Sequence, residues 1–127
     1  MIQNSDLVVS FKDDSDVPTG KNANIENLVR TSYSDIPLLI EVAKCESHLR
    51  QFRGNGQVVR GEANPYDVGV MQINEFYHLE RAERLGFNIY TAEGNVGYGR
   101  YLYEKEGTKP WSASKPCWGK FNQIAKK

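Results

Sequence analysis

The sequence predicts a mainly α chain of the α+β class, with one small β element near its middle. Apolar residues recur at three- and four-residue spacing in several separate stretches, which is the signature of amphipathic helices. Residues that start or stop helices bracket those stretches: Pro37, Gly86, Thr91 and Gly107. Between the first two long ones lies a glycine-rich run holding two adjacent valines, Val58 and Val59. The chain has 127 residues, 39% hydrophobic and 25% charged, which fits one globular domain with a single core. Sixteen basic and sixteen acidic side chains cancel to a net charge of +0, so the electrostatic footprint of a nucleic-acid binder is missing. The longest apolar run, Ile36 to Ile40, is too short for a membrane span. The first six residues carry neither a basic region nor an apolar one, so a signal peptide is either absent or already removed.

Taken in order, Leu7, Val8 and Val9 with Phe11 predict a short strand or arm, and residues 12–22 a polar, turn-rich linker. Ile25, Leu28 and Val29 give one or two amphipathic turns. Residues 1–33 therefore read as an N-terminal extension that packs on the main domain or stays mobile, and residues 34–127 as the compact domain. Ser34 and Asp35 are candidate caps for a helix whose first turn holds Pro37, where a missing N–H costs nothing. Ile36, Leu39, Ile40 and Ala43 mark one face of that helix, which is expected to run to about Arg50. Asn55-Gly56 predicts a tight turn, with Val58-Val59 as one strand of a hairpin. Phe76, Leu79, Ala82 and Leu85 define a second helix stopped at Gly86. A third is capped by Thr91 and ends near Gly107. Trp118, Phe121, Ile124 and Ala125 predict a last short one.

Glu46 is the residue that needs explaining. On a helix it follows Ala43, Val42 and Leu39 at three, four and seven positions, beside the apolar face and near the C-terminal end. Burial and the negative end of the helix dipole both disfavour a carboxylate there. A carboxyl group kept protonated near neutral pH can serve as a general acid. Position alone favours a boundary Glu whose head group reaches water. Cys45 and Cys117 could form one disulfide or stay as two buried thiols, and their spacing does not choose. Two thiols with His48 and His78 match no zinc signature, so no metal is expected and both histidines read as surface residues.

Three segments in order change this picture: Cys45-Glu46-Ser47 at a helix end, Gly69-Val70-Met71-Gln72-Ile73, and a later helix with Asn95, Gly99, Tyr101 and Leu102. Together they resemble the lysozyme-like superfamily, and within it the soluble lytic transglycosylase domain, over about residues 36–118. The family's tyrosine-bearing Ala-Tyr-Asn-x-Gly segment has no match, because this chain carries Lys109-Pro110-Trp111-Ser112-Ala113-Ser114 there. Cys45 directly before the Glu and Cys117 near the domain's end look like the resuscitation-promoting factors. That likeness implies a Cys45–Cys117 bridge.

The resemblance implies a lysozyme-like fold with a β-hairpin beside the cleft, and cleavage of the β-1,4 bond between N-acetylmuramic acid and N-acetylglucosamine in peptidoglycan. Glu46 would be the general acid and base, leaving a 1,6-anhydro product. Asp67, two residues before Gly69, is similar to the second carboxylate of animal-type lysozymes, which would make the enzyme a hydrolase. Asp67 could instead order the turn after Asn64-Pro65-Tyr66. Ser47, Gln72 and Asn74 are the expected substrate-binding polar residues, with Met71 and Ile73 packing inward between them. Gln72 could also be a buried amide serving backbone groups. Tyr98 and Trp118 read as core, while Tyr101 and Trp111 are the aromatic faces expected to meet sugar rings. The expected partner is the peptidoglycan glycan strand, with no cofactor, no nucleic acid and no membrane span. A monomer outside the cytoplasm is expected. A glycan-binding or assembly module without catalysis is the non-enzymatic alternative.

Overall fold

Ile25 and Val29, four residues apart, bury one face of α1 (Ile25–Ser32), and Tyr33 follows them inward. The computed structural model describes residues 22–125. The strand or arm expected at Leu7, Val8, Val9 and Phe11 lies outside the described residues, as do most of the linker after it and the side chains of Ile124 and Ala125. The described end of the extension expected at residues 1–33 packs on the rest of the domain. Ile25, Val29 and Tyr33 belong to the same apolar cluster as Leu39, Met71, Val96 and Leu102, so α1 is part of the core. Burying each such side chain contributes roughly 1.5–3 kcal/mol. The Tyr33 hydroxyl donates to the Val96 carbonyl at 2.6 Å, and its ring reaches that depth because Gly99 has no side chain. A Cβ on Gly99 would lie 2.8 Å from both the Tyr33 oxygen and Met71.

Pro37 opens α2 (Pro37–Ser47) as expected, but neither Ser34 nor Asp35 caps it. Asp35 instead pairs with Arg100, whose guanidinium also reaches the Ser32 carbonyl. The helix stops three residues before Arg50 because His48 and Leu49 both adopt left-handed backbone, at φ 57° and 61°. Ser47 secures that end: its hydroxyl donates to the Ala43 carbonyl and accepts from the Arg50 amide.

The β element is shifted from its expected place. Gly56 makes the predicted tight turn at φ 88°, but its flanks meet in a single bridge, Phe52 with Val58, and a further single bridge joins Arg60 to Val68 of the sheet. The two-stranded sheet is antiparallel and pairs β1 (Asp67–Val68) with β2 (Ile73–Asn74), Asp67 opposite Asn74. Met71 and Ile73 do pack inward, though through a turn in which Gly69 and Gln72 have φ of 78° and 52°. Buried amide side chains hold this turn. Gln51 accepts from the Val70 amide, and Asn95 accepts from the Met71 amide while donating to the carbonyls of Val68 and Ile89.

Asn74 caps α3 (Glu75–Arg84) by accepting from the Tyr77 amide, and Thr91 caps α4 (Ala92–Glu106) by accepting from the Gly94 amide. Ala82 is the buried residue of α3. Phe76 and Leu85, which with Leu79 and Ala82 mark this helix in the sequence, are 72% and 47% exposed. After α4 a 3-10 segment (Lys109–Ser114) leads into α5 (Lys115–Ala125). Cys45 and Cys117 form a disulfide, which ties α2 to α5. Among the described residues no helix is long and apolar enough to cross a membrane.

The turn gives a direct test of packing. Gly69→Ala would combine a positive φ with a Cβ only 2.3 Å from the Asn95 amide nitrogen and 2.6 Å from the Gln51 oxygen. The expected destabilisation is at least about 2 kcal/mol. Chemical denaturation reads it, and an unchanged midpoint would mean that the turn relaxes freely.

Candidate active site

The last turn of α2 sets Glu46 into a cleft of about 310 Å³. Asp67 reaches it from β1, Gln72 from the turn, Asn74 from β2, Tyr77 and His78 from α3, and Glu106 from α4. The 3-10 segment closes one side with Pro110, Trp111 and Ala113. Both carboxylates singled out in the sequence, Glu46 and Asp67, thus line one cavity.

Glu46 is partly buried, and loss of water is the main cause that raises its pKa above the ordinary glutamate value. A hydrogen bond from Ser114 pulls in the opposite direction, with Oγ donating to Glu46 Oε2 at 2.6 Å. The negative charge of Asp67 adds a smaller upward push. The balance favours a protonated carboxyl over a wider pH range than in water. Asp67 is itself held by Asn74, whose side-chain amide donates to Asp67 Oδ1 at 3.0 Å. Since the Asn74 oxygen caps α3, this residue serves as cap and clamp together.

The other expected site residues divide. Gln72 lines the cleft with its amide donating to the Gly69 carbonyl at 3.1 Å. Trp111 also lines it, but is 3% exposed, and its indole N–H donates to the Met71 carbonyl at 2.8 Å. It is a buried wall joining the 3-10 segment to the turn rather than an open platform. Ser47 is buried, with its hydroxyl engaged at the end of α2, so its expected contact with substrate is replaced by a structural one. Tyr101 is not part of the cleft lining. Its ring packs on Tyr98 at 5.3 Å, with Arg81 and Lys105 at 5.4 and 5.7 Å from its centre. Those cations occupy the surface expected for a sugar. Tyr98 and Trp118 are core residues as expected.

His78, expected on the surface, is half-buried against Tyr98, whose hydroxyl lies 3.0 Å from Nδ1. Burial and then the neighbouring Arg81 charge lower its pKa, which favours the neutral imidazole. Among the described residues no group of three or more His, Cys, Asp or Glu is arranged to hold a metal ion.

Ser114 was not singled out by the sequence reading. The signal for it was the cysteine pair. A bridge from Cys45 to Cys117 brings the residue one helical turn before Cys117 alongside the residue after Cys45.

No family model, curated protein or solved structure matches the chain.

Proposed function

We propose that this chain is a peptidoglycan-cleaving lytic transglycosylase with a lysozyme-like fold, acting at the bond between N-acetylmuramic acid and N-acetylglucosamine. The observation that carries the reading is a water-depleted Glu46 with a raised pKa in a polar cleft beside Asp67, Gln72 and Asn74. Protonated Glu46 gives its proton to the glycosidic oxygen as the bond to the muramic-acid C1 breaks. The resulting carboxylate then takes the proton of the C6 hydroxyl, whose oxygen bonds to C1. Glu46 ends protonated, and the product is a 1,6-anhydro sugar. One carboxyl group suffices because the nucleophile is already part of the substrate.

The Cys45–Cys117 bridge supports a site of action outside the reducing cytoplasm. The substrate is the glycan strand, and a monomer with no cofactor is sufficient for this chemistry.

The placement of Asp67 favours a second reading, hydrolysis, in which a second carboxylate stabilises the oxocarbenium-like transition state while water attacks C1. Mass spectrometry of digested peptidoglycan separates the two, since the anhydro product is lighter than the hydrolysed one by one water. We expect anhydro ends, and a rate loss for Asp67→Asn within about tenfold, from lost electrostatic support. Reducing ends together with a loss of roughly a hundredfold or more would instead establish the hydrolase.

A further inference from the structure

Three hydrogen-bonding groups converge on the Ser114 hydroxyl. The Trp118 indole N–H donates to Oγ at 3.0 Å, Glu46 Oε2 lies at 2.6 Å, and the Trp111 carbonyl lies at 3.2 Å. The hydroxyl has a single proton, and the much shorter contact assigns it to Glu46 Oε2. Trp118 is 3% exposed, and its N–H also reaches the Trp111 carbonyl at 3.2 Å, so the serine oxygen is held by a fixed partner. The bridge between Cys117 and Cys45 fixes the same two helices at the neighbouring residues. Among the described residues Oε1 of Glu46 accepts from no protein donor. The carboxyl group is therefore asymmetric.

We propose that Ser114 is a positioning residue for Glu46: it anchors Oε2 as an acceptor and so makes Oε1 the oxygen that gives and takes the proton. This rests on the general acid and base reading of Glu46. A carboxyl proton on Oε2 would have to displace the Ser114 proton toward the longer contact with Trp111. A proton on Oε1 disturbs nothing. Once Glu46 has given its proton away, the same contact becomes a charge-assisted hydrogen bond and strengthens. Ser114 thus favours the carboxylate at the moment of transfer, against a burial that favours the acid. The titratable groups sharing the cleft are Asp67 on β1, Tyr77 and His78 on α3 and Glu106 on α4, and Ser114→Ala alters none of them.

The test is NMR titration of the Glu46 side-chain carbon and the Trp118 indole proton in the free protein. In the wild type the indole signal is expected to shift with the same midpoint as Glu46, because Ser114 links them. In Ser114→Ala the Glu46 midpoint should move to higher pH and the indole response should disappear, while Ser114→Thr should restore both. In wall cleavage, Ser114→Ala should lower kcat more than it raises KM and move the alkaline limb of the pH profile upward. An unshifted Glu46 midpoint in Ser114→Ala would overturn the proposal. If that variant does not fold, a wild-type indole signal that ignores the Glu46 titration would do the same. The titrations use no substrate, so a protein that shows them but cleaves no wall refutes the proposed function and leaves the anchoring intact.

Discussion

Glu46→Gln is expected to lower peptidoglycan cleavage by at least about a thousandfold while raising the melting temperature near neutral pH. The substitution keeps the shape of the side chain and an acceptor for Ser114, but the amide cannot cycle a proton. The sign of the stability change follows from the pKa. Burial raises the Glu46 value most, Ser114 lowers it and Asp67 raises it again, with a net upward shift. Between the ordinary glutamate value and the raised one, the folded protein holds more protons than the unfolded chain. Stability therefore falls as pH rises through that window. The uncharged amide of the variant has no such window, so the two proteins should differ least in acid and most above it. Activity measured beside melting curves from about pH 4 to about pH 8 checks both halves. A variant that keeps most of its turnover would sink the catalytic assignment. One that melts below the wild type at neutral pH would show that Glu46 is stabilised as a carboxylate.

The features legible in the sequence were those set by local chemistry. Pro37 and Thr91 mark helix starts and Gly86 and Gly107 helix ends through properties of their own backbone or side chains, and α2 and α4 begin, and α3 and α4 end, close to where they imply. The helical spacing of Ile25, Leu28 and Val29 was legible, but the place where α1 packs was not. Its burial depends on the groove that Val96 and Gly99 open in α4, far along the chain. Phe76 illustrates the reverse case. It falls on the apolar stripe of α3, yet that helix meets the core further along, at Leu79 and Ala82, and the first turn extends beyond it. The exposed ring packs instead against Tyr66 and Tyr77.

The same division runs through the site. Glu46 and Asp67 were visible as carboxylates in a telling context, and they do line one cleft. The hydroxyl groups were not legible in the same way, because a serine becomes a cap or an anchor only through its neighbours. Ser47, expected at the substrate, secures the end of α2, whereas Ser114 carries no signal of its own and holds Glu46. Tyr101 could not be placed from helical spacing, since its surroundings depend on Arg81 from α3.

Reducing the Cys45–Cys117 bridge is expected to destabilise the protein by about 4 kcal/mol on the chain-entropy account, because it frees a loop closed across a sequence separation of 72. For a domain of this size that corresponds to a fall in melting temperature of more than about 10 °C. The same reduction should also weaken catalysis at temperatures where the protein is still folded. The bridge joins α2 to α5 at the residue directly before Glu46, and Trp118 directly after Cys117 holds the Ser114 hydroxyl. Loosening this joint lets the carboxyl group and its anchor drift apart while β1, β2 and the turn stay in place. Cys45→Ser with Cys117→Ser should reproduce both effects without a reducing agent. Melting curves and cleavage rates of the oxidised, reduced and doubly substituted proteins check the two claims separately. An equal melting temperature in all three would remove the bridge from the stability of the fold. A lowered melting temperature with full cleavage at low temperature would mean that the core alone keeps Ser114 against Glu46.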